Sequence, residues 1–324
     1  MGKNDSKVEI IMKKFRLTQK KRIEWLFAGS LLLIPIIHFC VFNLYVNLNA
    51  VLLSFKTYKA DIDSYVWNFG DFFINYKDMF KAFTVEGSGL LLSCRNSLVF
   101  TILNNFFLLP LSVILTYFLH KKMPCTLFFR VIFQLPSIIS VVVLVMVFRF
   151  MFDSTIGFVN PFLKWIGLEK IIPKEGWLGT EKTAWILMIT YCVWVGFGGN
   201  VLLLSGAMAR VPSELIEAAK IDGIGFWSEL WHIEVPLIGG TISTMLLLSV
   251  QVFFSYFLPV QLLTNGGPDG ATQTLAMYSI RFIKGGGTDL TQSATLGMII
   301  TLIGTPLIIG FKKLFDKVFP TYEF

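Results

Sequence analysis

The sequence predicts an all-α integral membrane protein with six transmembrane helices and a helical elbow on the cytoplasmic side. Three observations lead there: poverty in charge, six long apolar runs, and the placement of Lys and Arg between them. Of the 324 residues, 54% are hydrophobic and only 15% charged, and the mean hydropathy is +0.67. A soluble domain carries roughly 25% charged residues. A chain this poor in charge cannot cover itself with polar surface, so much of its exterior must face lipid. The net charge of +7 is not a nucleic-acid signal. The basic residues crowd near the N-terminus and into short gaps between apolar runs, which suits the anionic inner face of a membrane.

A membrane helix needs about 20 mostly apolar residues. Six stretches qualify: 26–54, 97–119, 131–152, 183–208, 236–263 and 293–315. Each lacks charged residues in its interior, apart from Arg149 near the end of the third and Lys312 and Lys313 near the end of the sixth. Alternation of the β-barrel kind is absent, which leaves helices as the spanning structure. The first run follows a polar, basic segment and is too long for the apolar core of a signal peptide. No small-residue cleavage site follows it, so it is expected to be a retained first span. The domain reading is a basic cytoplasmic segment, 1–25, and a transmembrane domain, 26–324.

Orientation follows from Lys and Arg in short loops. Lys3, Lys7, Lys13, Lys14, Arg16, Lys20, Lys21 and Arg22 precede the first span. Lys121, Lys122 and Arg130 lie between the second and third, and Lys312, Lys313 and Lys317 lie at and just beyond the end of the sixth. Six spans put these segments on one side, so both termini are expected in the cytoplasm. The 55–96 and 153–182 loops are mixed in sign and fall outside. The 209–235 loop should be cytoplasmic, yet it sets Arg210 and Lys220 against Glu214, Glu217, Asp222, Glu229 and Glu234. An acidic, helical, aromatic-rich loop on that side calls for its own explanation, and a docking surface is the natural one.

Val211-Pro212-Ser213-Glu214 reads as a helix start, with Ser213 able to cap and Glu214 in the first turn. Glu217, Ala218 and Ala219 continue the helix, and Gly223 can take the left-handed conformation that ends it. Phe226/Leu230 and Trp227/Trp231 are i, i+4 pairs that give a second short helix an aromatic face. Pro236 then opens the fifth span, where proline is tolerated in a first turn. The product is a helix–Gly–helix elbow over 211–235. On these grounds alone it is equally an ordinary interfacial pair of amphipathic helices.

Glu217-Ala218-Ala219, Asp222-Gly223 and Ile233-Glu234-Val235-Pro236 resemble, at their spacing, the EAA signature of binding-protein-dependent ABC importer permeases. That pattern usually ends Ile-x-Leu-Pro, so Val235 is a departure. Leu262-Leu263-Thr264-Asn265-Gly266-Gly267-Pro268, followed by Thr272 and Leu275, is similar to the extracytoplasmic Leu-Thr-x-Gly-Gly-Pro segment of MalF-like carbohydrate permeases. A bare tight turn would also use Gly-Gly-Pro. Phe129-Arg130-Val131-Ile132-Phe133-Gln134-Leu135-Pro136 resembles the start of the family's third span.

The resemblance implies a type I ABC importer permease fold in a bacterial cytoplasmic membrane. It makes the elbow the coupling helix, with Glu217, Ala218, Ala219, Asp222, Gly223, Ile233 and Pro236 in contact with a cytosolic ATPase. It implies a second, non-identical permease subunit, two copies of the ATPase, an extracytoplasmic solute-binding protein and a sugar substrate. This chain has no GxxxxGK[ST] loop, and its glycine clusters at 265–267 and 285–287 fall on the extracytoplasmic side. The expectation is therefore no cofactor of its own, with ATP and Mg held by the partner ATPase. No nucleic acid, metal centre or catalytic residue is expected.

The same resemblance implies a substrate path along two helix faces. On the fourth span it runs through Cys192, Gly196 and Gly199, an i, i+4, i+7 stripe. On the fifth it takes in Ser249, Val252, Phe253 and Tyr256. Ser249 and Gly196 look like the sugar-contacting residues of the maltose permease, whereas Cys192, Phe253 and Tyr256 replace polar positions. That points to an oligosaccharide other than maltose. Trp194, Asn200 and Gln251 are further candidates at membrane depth, which helix–helix hydrogen bonding would explain as well. So would it explain Asn43 and Asn47. Gly196 and Gly199 are equally readable as packing positions, because small residues let membrane helices approach.

Two other function classes compete. An ABC permease for a non-sugar solute is disfavoured by the Leu-Thr-Asn-Gly-Gly-Pro run. A secondary transporter normally shows internal repeats and buried ionisable pairs, and neither is visible. Cys40, Cys94, Cys125 and Cys192 lie far apart without a CxxC pair and read as isolated small apolar residues. His38, His120 and His232 are likewise scattered.

Overall fold

The computed structural model describes residues 21–22, 24–85, 87–121, 123–284 and 290–319. Lys3, Lys7, Lys13, Lys14, Arg16, Lys20, Lys122 and the glycine cluster at 285–287 lie outside the described residues. The chain divides into two compact units, Met1–Phe72 and Phe73–Phe324.

In the first unit, α1 (Glu24–Ser54) is apolar on every side, and its described residues up to Asn49 are exposed. A helix of that kind is built to be surrounded by lipid or by another chain. Asn47 Nδ2 donates to the Asn43 carbonyl at 2.6 Å, so its amide is satisfied within its own helix. A short antiparallel hairpin follows. β1 (Lys56–Lys59) pairs with β2 (Ser64–Trp67), with Lys56 opposite Trp67 and Lys59 opposite Ser64. The Lys56 ammonium sits 5.0 Å from the Trp67 ring centroid, a cation–π contact across the pair.

The second unit opens with α2 (Ile74–Thr84) and α3 (Leu90–His120). Then come α4 (Thr126–Ile138), α5 (Val141–Met151), α6 (Val159–Trp165) and α7 (Glu181–Met208). The elbow consists of α8 (Ser213–Ile221) and α9 (Phe226–Leu237). It leads into α10 (Gly239–Ser255), α11 (Leu258–Leu263), α12 (Leu275–Lys284) and α13 (Thr291–Val318). Among the described residues, α1, α3, α7 and α13 are each long and apolar enough to cross a membrane. The total becomes six if two bent pairs, α4 with α5 and α9 with α10, each make one span.

The bends are where the apolar runs and the helices part company. The 131–152 run is not one helix: α4 begins before it, and α5 leaves α4 at 108°. Pro136 lies near the end of α4 and has no N–H to donate to the preceding turn. Ile139 and Ser140 then adopt extended backbone, with ψ of 142° and 133°. The 236–263 run is likewise divided. Pro236 belongs to the last turn of α9 rather than opening the span, and the chain turns by 75° at Ile238 into α10. Ser213 is the first helical residue of α8, with Pro212 at the N-cap position, so its hydroxyl does not cap.

α3 contributes to all three apolar cores of this unit. Leu109, Val113 and Tyr117 pack with Leu204, Met208, Ile216 and Leu230 from α7 and the elbow. Phe100 packs with Val145, Phe148, Tyr191 and Val260. Leu90 packs with Met79, Tyr278 and Leu296. Several buried hydroxyls of α3 are satisfied locally, as a low-dielectric setting favours, whereas Thr116 Oγ1 has no hydrogen-bond partner among the described residues. Ser93 donates to the Gly89 carbonyl and Ser112 to the Leu108 carbonyl, each at 2.7 Å.

The Thr264–Leu275 segment is folded into the unit rather than left on its surface. Asn96 Nδ2 donates to the carbonyls of Ala271 and Gln273 at 2.8 and 2.9 Å. Trp185 Nε1 donates to the Ala271 carbonyl at 3.1 Å. The Leu275 N–H donates to Ser97 Oγ at 2.8 Å, and the Thr264 and Thr272 hydroxyls meet at 2.7 Å. α3 and α7 thereby hold the Gly-Gly-Pro turn by its backbone.

Candidate functional site

The elbow is a closed helix–turn–helix. α8 ends in a Schellman arrangement, in which the Gly223 N–H donates to the Lys220 carbonyl and the Ile224 N–H to the Ala219 carbonyl, both at 3.1 Å. Gly223 has φ +79°, a left-handed conformation that glycine adopts without Cβ strain. Ile216 and Ala219 face the apolar core, while Glu217, Ala218, Asp222 and Gly223 are exposed. The Ile-x-x-Pro end of the motif sits differently. Ile233 and Pro236 are half-buried in α9, and Trp227 and Trp231 are exposed beside them. The elbow therefore offers a surface of small, acidic and aromatic groups.

Its inner side is fastened to the end of α3. Tyr117 Oη donates to the Phe226 carbonyl at 3.2 Å, and the Tyr117 and Phe226 rings lie 4.8 Å apart. Phe118 touches both Phe226 and Trp227. Lys121 forms an ion pair with Glu229, which is 4% exposed. Glu234 is 0% exposed, and neither of its carboxylate oxygens has a hydrogen-bond partner among the described residues. It lies in the 211–235 elbow, before the 236–263 run read as the fifth span. Burial pushes its carboxyl up to about 7, with Lys121 pulling down and Glu229 adding to the rise. In the sequence Glu229 and Glu234 read only as loop charge. Acidic residues within an aromatic helix were the signal to be had, but their burial depends on where α3 ends.

A second feature lies deeper. A half-open cavity of about 210 Å³ is bounded by α3, α5, α7, α10 and the start of α11. Cys192 and Gly196 line it from α7, and Val252 and Tyr256 from the end of α10. Cys192 Sγ and Tyr256 Oη are 2.9 Å apart, and Phe100 lies against the Tyr256 ring with centroids 5.1 Å apart. Gly196 allows α3 its close approach, because a Cβ there would overlap Leu108. The other residues of the expected path are elsewhere. Ser249 is buried and donates to Asn105 Oδ1 on α3. Phe253 packs on Phe254 and lines a separate apolar groove. Trp194 stacks on Phe148 at 5.6 Å. Gly199 is exposed, with open space where a Cβ would stand. Asn200 Nδ2 donates to Ser112 Oγ at 3.3 Å, a helix–helix bond, and Gln251 is exposed.

The residue that sequence reasoning missed is Asn104, which lines the cavity from α3. Asn104-Asn105 inside an apolar run was the signal. Leu103–Leu108 forms a π-turn in α3, with the Leu109 N–H donating to the Asn104 carbonyl. Such one-turn π segments are frequent at functional sites. Among the described residues no cluster of His, Cys, Asp or Glu could hold a metal ion.

The model of the family described as "Binding-protein-dependent transport system inner membrane component" matches residues 98–318. The Probable ABC transporter permease protein YurN of Bacillus subtilis is 31% identical over 188 residues, covering 57% of this chain and 64% of YurN. The maltose/maltodextrin transport system permease protein MalF of Escherichia coli is 29% identical over 195 residues, covering 57% of this chain and 37% of MalF. The chain thus spans less than two thirds of the length of these curated relatives. A bacterial ABC transporter involved in the import of the acidic polysaccharide alginate aligns over 94% of this chain and 99% of its own, with TM-score 0.75 and 19% identity. The alginate transporter in complex with a pentasaccharide-bound periplasmic protein gives TM-score 0.76 at 19% identity, over 95% of this chain. At that identity the likeness is one of fold: a type I ABC importer permease.

Proposed function

The chain belongs to the family of binding-protein-dependent transport system inner membrane components, and from that premise we propose that it is the permease subunit of an ATP-driven carbohydrate importer. It forms half of the path across the membrane, beside a second, non-identical permease. The elbow faces the cytoplasm together with both termini. Glu217, Ala218, Asp222 and Gly223 dock on one of two cytosolic ATPase subunits, which bind the ATP and Mg, while the buried Ala219 packs the helix that presents them. An extracytoplasmic binding protein delivers the sugar.

The observation that carries this reading is the convergence of Cys192, Gly196, Val252 and Tyr256, from two helices, on one cavity. Its aromatic walls can stack on a sugar ring while a few polar groups meet hydroxyls. The elbow and the cavity share α3, so a push on α9 is delivered to the helix that forms one cavity wall. The names of MalF and of the alginate transporter support a saccharide as cargo, and the Leu-Thr-Asn-Gly-Gly-Pro run agrees. The test is purification in mild detergent from membranes of the source cells. A nucleotide-binding subunit in stoichiometric amount, and ATP hydrolysis stimulated by sugar-loaded binding protein, are expected. A lone chain that transports by itself would end the proposal.

A further inference from the structure

We propose that Asn104 is this chain's hydrogen-bonding contact to a neutral saccharide in the cavity, an inference that rests on the carbohydrate reading above. Adjacent asparagines at membrane depth need two explanations, and the π-turn supplies them by sending the two residues to different neighbours. Asn105 Oδ1 accepts from Ser249 Oγ, joining α3 to α10. Asn104 lines the cavity, and its side-chain amide makes no hydrogen bond to any described residue. An uncommitted carboxamide in apolar surroundings is costly. Polar groups at this depth are retained where they meet protein, a cavity or a substrate.

The other polar groups lining the cavity are differently placed. Cys192 and Tyr256 are within bonding distance of each other. Tyr191 Oη is buried without a hydrogen-bond partner among the described residues. Of the two uncommitted groups, Tyr191 and Asn104, only the Asn104 carboxamide carries a donor and an acceptor on separate atoms, which is what a pair of sugar hydroxyls requires. Among the described residues no charged side chain lines the cavity. A uronate ring would have to shed its water there without a cation to meet it, so the selected substrate is uncharged. At about 210 Å³ the cavity lies below the roughly 300–1,000 Å³ that encloses a whole drug-sized ligand. It fits a chain passed through ring by ring.

The test is uptake by membrane vesicles containing the complete complex, saturated with its binding protein. The probes are tritiated neutral oligosaccharides (gluco-, galacto-, fructo- and xylo-series) and, in parallel, oligouronates. If the unaltered complex imports no saccharide, the carbohydrate reading itself is lost. If it imports a neutral one, Asn104→Leu should lower the maximal rate roughly threefold to tenfold, the value of one or more hydrogen bonds. The amount of assembled complex should stay constant, and Asn104→Gln should recover part of the rate. Asn105→Leu should instead reduce the amount of assembled complex, because it removes a helix–helix bond. Wild-type uptake by Asn104→Leu, or oligouronates imported as well as neutral chains, would overturn the assignment.

Discussion

Lys121, in the turn that ends α3, is ion-paired with Glu229 on α9, and Glu229 is almost wholly buried. A charge so enclosed depends on its partner. Removing one member of a buried pair commonly costs about 3–5 kcal/mol, whereas replacing both with apolar groups can be neutral. Lys121→Ala should therefore lower the thermal unfolding midpoint of the detergent-purified protein. The double substitution Lys121→Met with Glu229→Met should restore most of it. Equal losses in the single and double variants would show that the pair holds nothing together.

Glu234 makes stability depend on pH. Its carboxyl is raised from 4.5 to about 7 by burial, so between those values the folded chain keeps a proton that the unfolded chain releases. Stability must fall as pH rises through that window. Unfolding temperatures measured from pH 5 to pH 8 should decline, and Glu234→Gln should flatten the decline and be the more stable form at pH 8.

Gly223 has φ +79°, and a Cβ added there would have no atom within 4 Å, so substitution acts through the backbone alone. A left-handed residue with a Cβ costs roughly 1–2 kcal/mol, and Asn tolerates the region best. Gly223→Val should raise the ATP hydrolysed per sugar imported by reconstituted complex, while Gly223→Asn stays near the original ratio. Equal ratios in both would remove the elbow from the coupling path.

Gly196 and Gly199 lie on one helix but should respond oppositely. A Cβ at Gly196 overlaps Leu108, and one at Gly199 meets nothing. Overpacking of a closed contact typically costs about 1–3 kcal/mol. Gly196→Ala should lose folded yield, measured by fluorescence-detected size exclusion. Gly199→Ala should not, and Leu108→Ala should rescue the first.

The membrane class, the runs behind α1, α3, α7 and α13, and the elbow with its Gly223 hinge were legible in the sequence. Long apolar segments and a helix-ending glycine act through local chemistry. The bends at Ile139-Ser140 and Ile238 were not, since both fall inside runs whose composition is uniform. The Thr264–Leu275 loop was recognisable as a turn. That Asn96, Ser97 and Trp185 would hold it depended on residues roughly 90 to 180 positions away along the chain.

By itself the sequence determined which segments leave water and how the elbow turns, because hydrophobic transfer and backbone preference are properties of neighbours in the chain. Tertiary structure alone decided which polar groups are used up and which remain free. Asn105 is bound to Ser249 and Asn104 is not; Glu229 has Lys121, and Glu234 has no hydrogen bond among the described residues. A hydrogen bond or an ion pair reaches only a few ångströms, so which partner arrives is set by the packing of α3 against α7, α9 and α10.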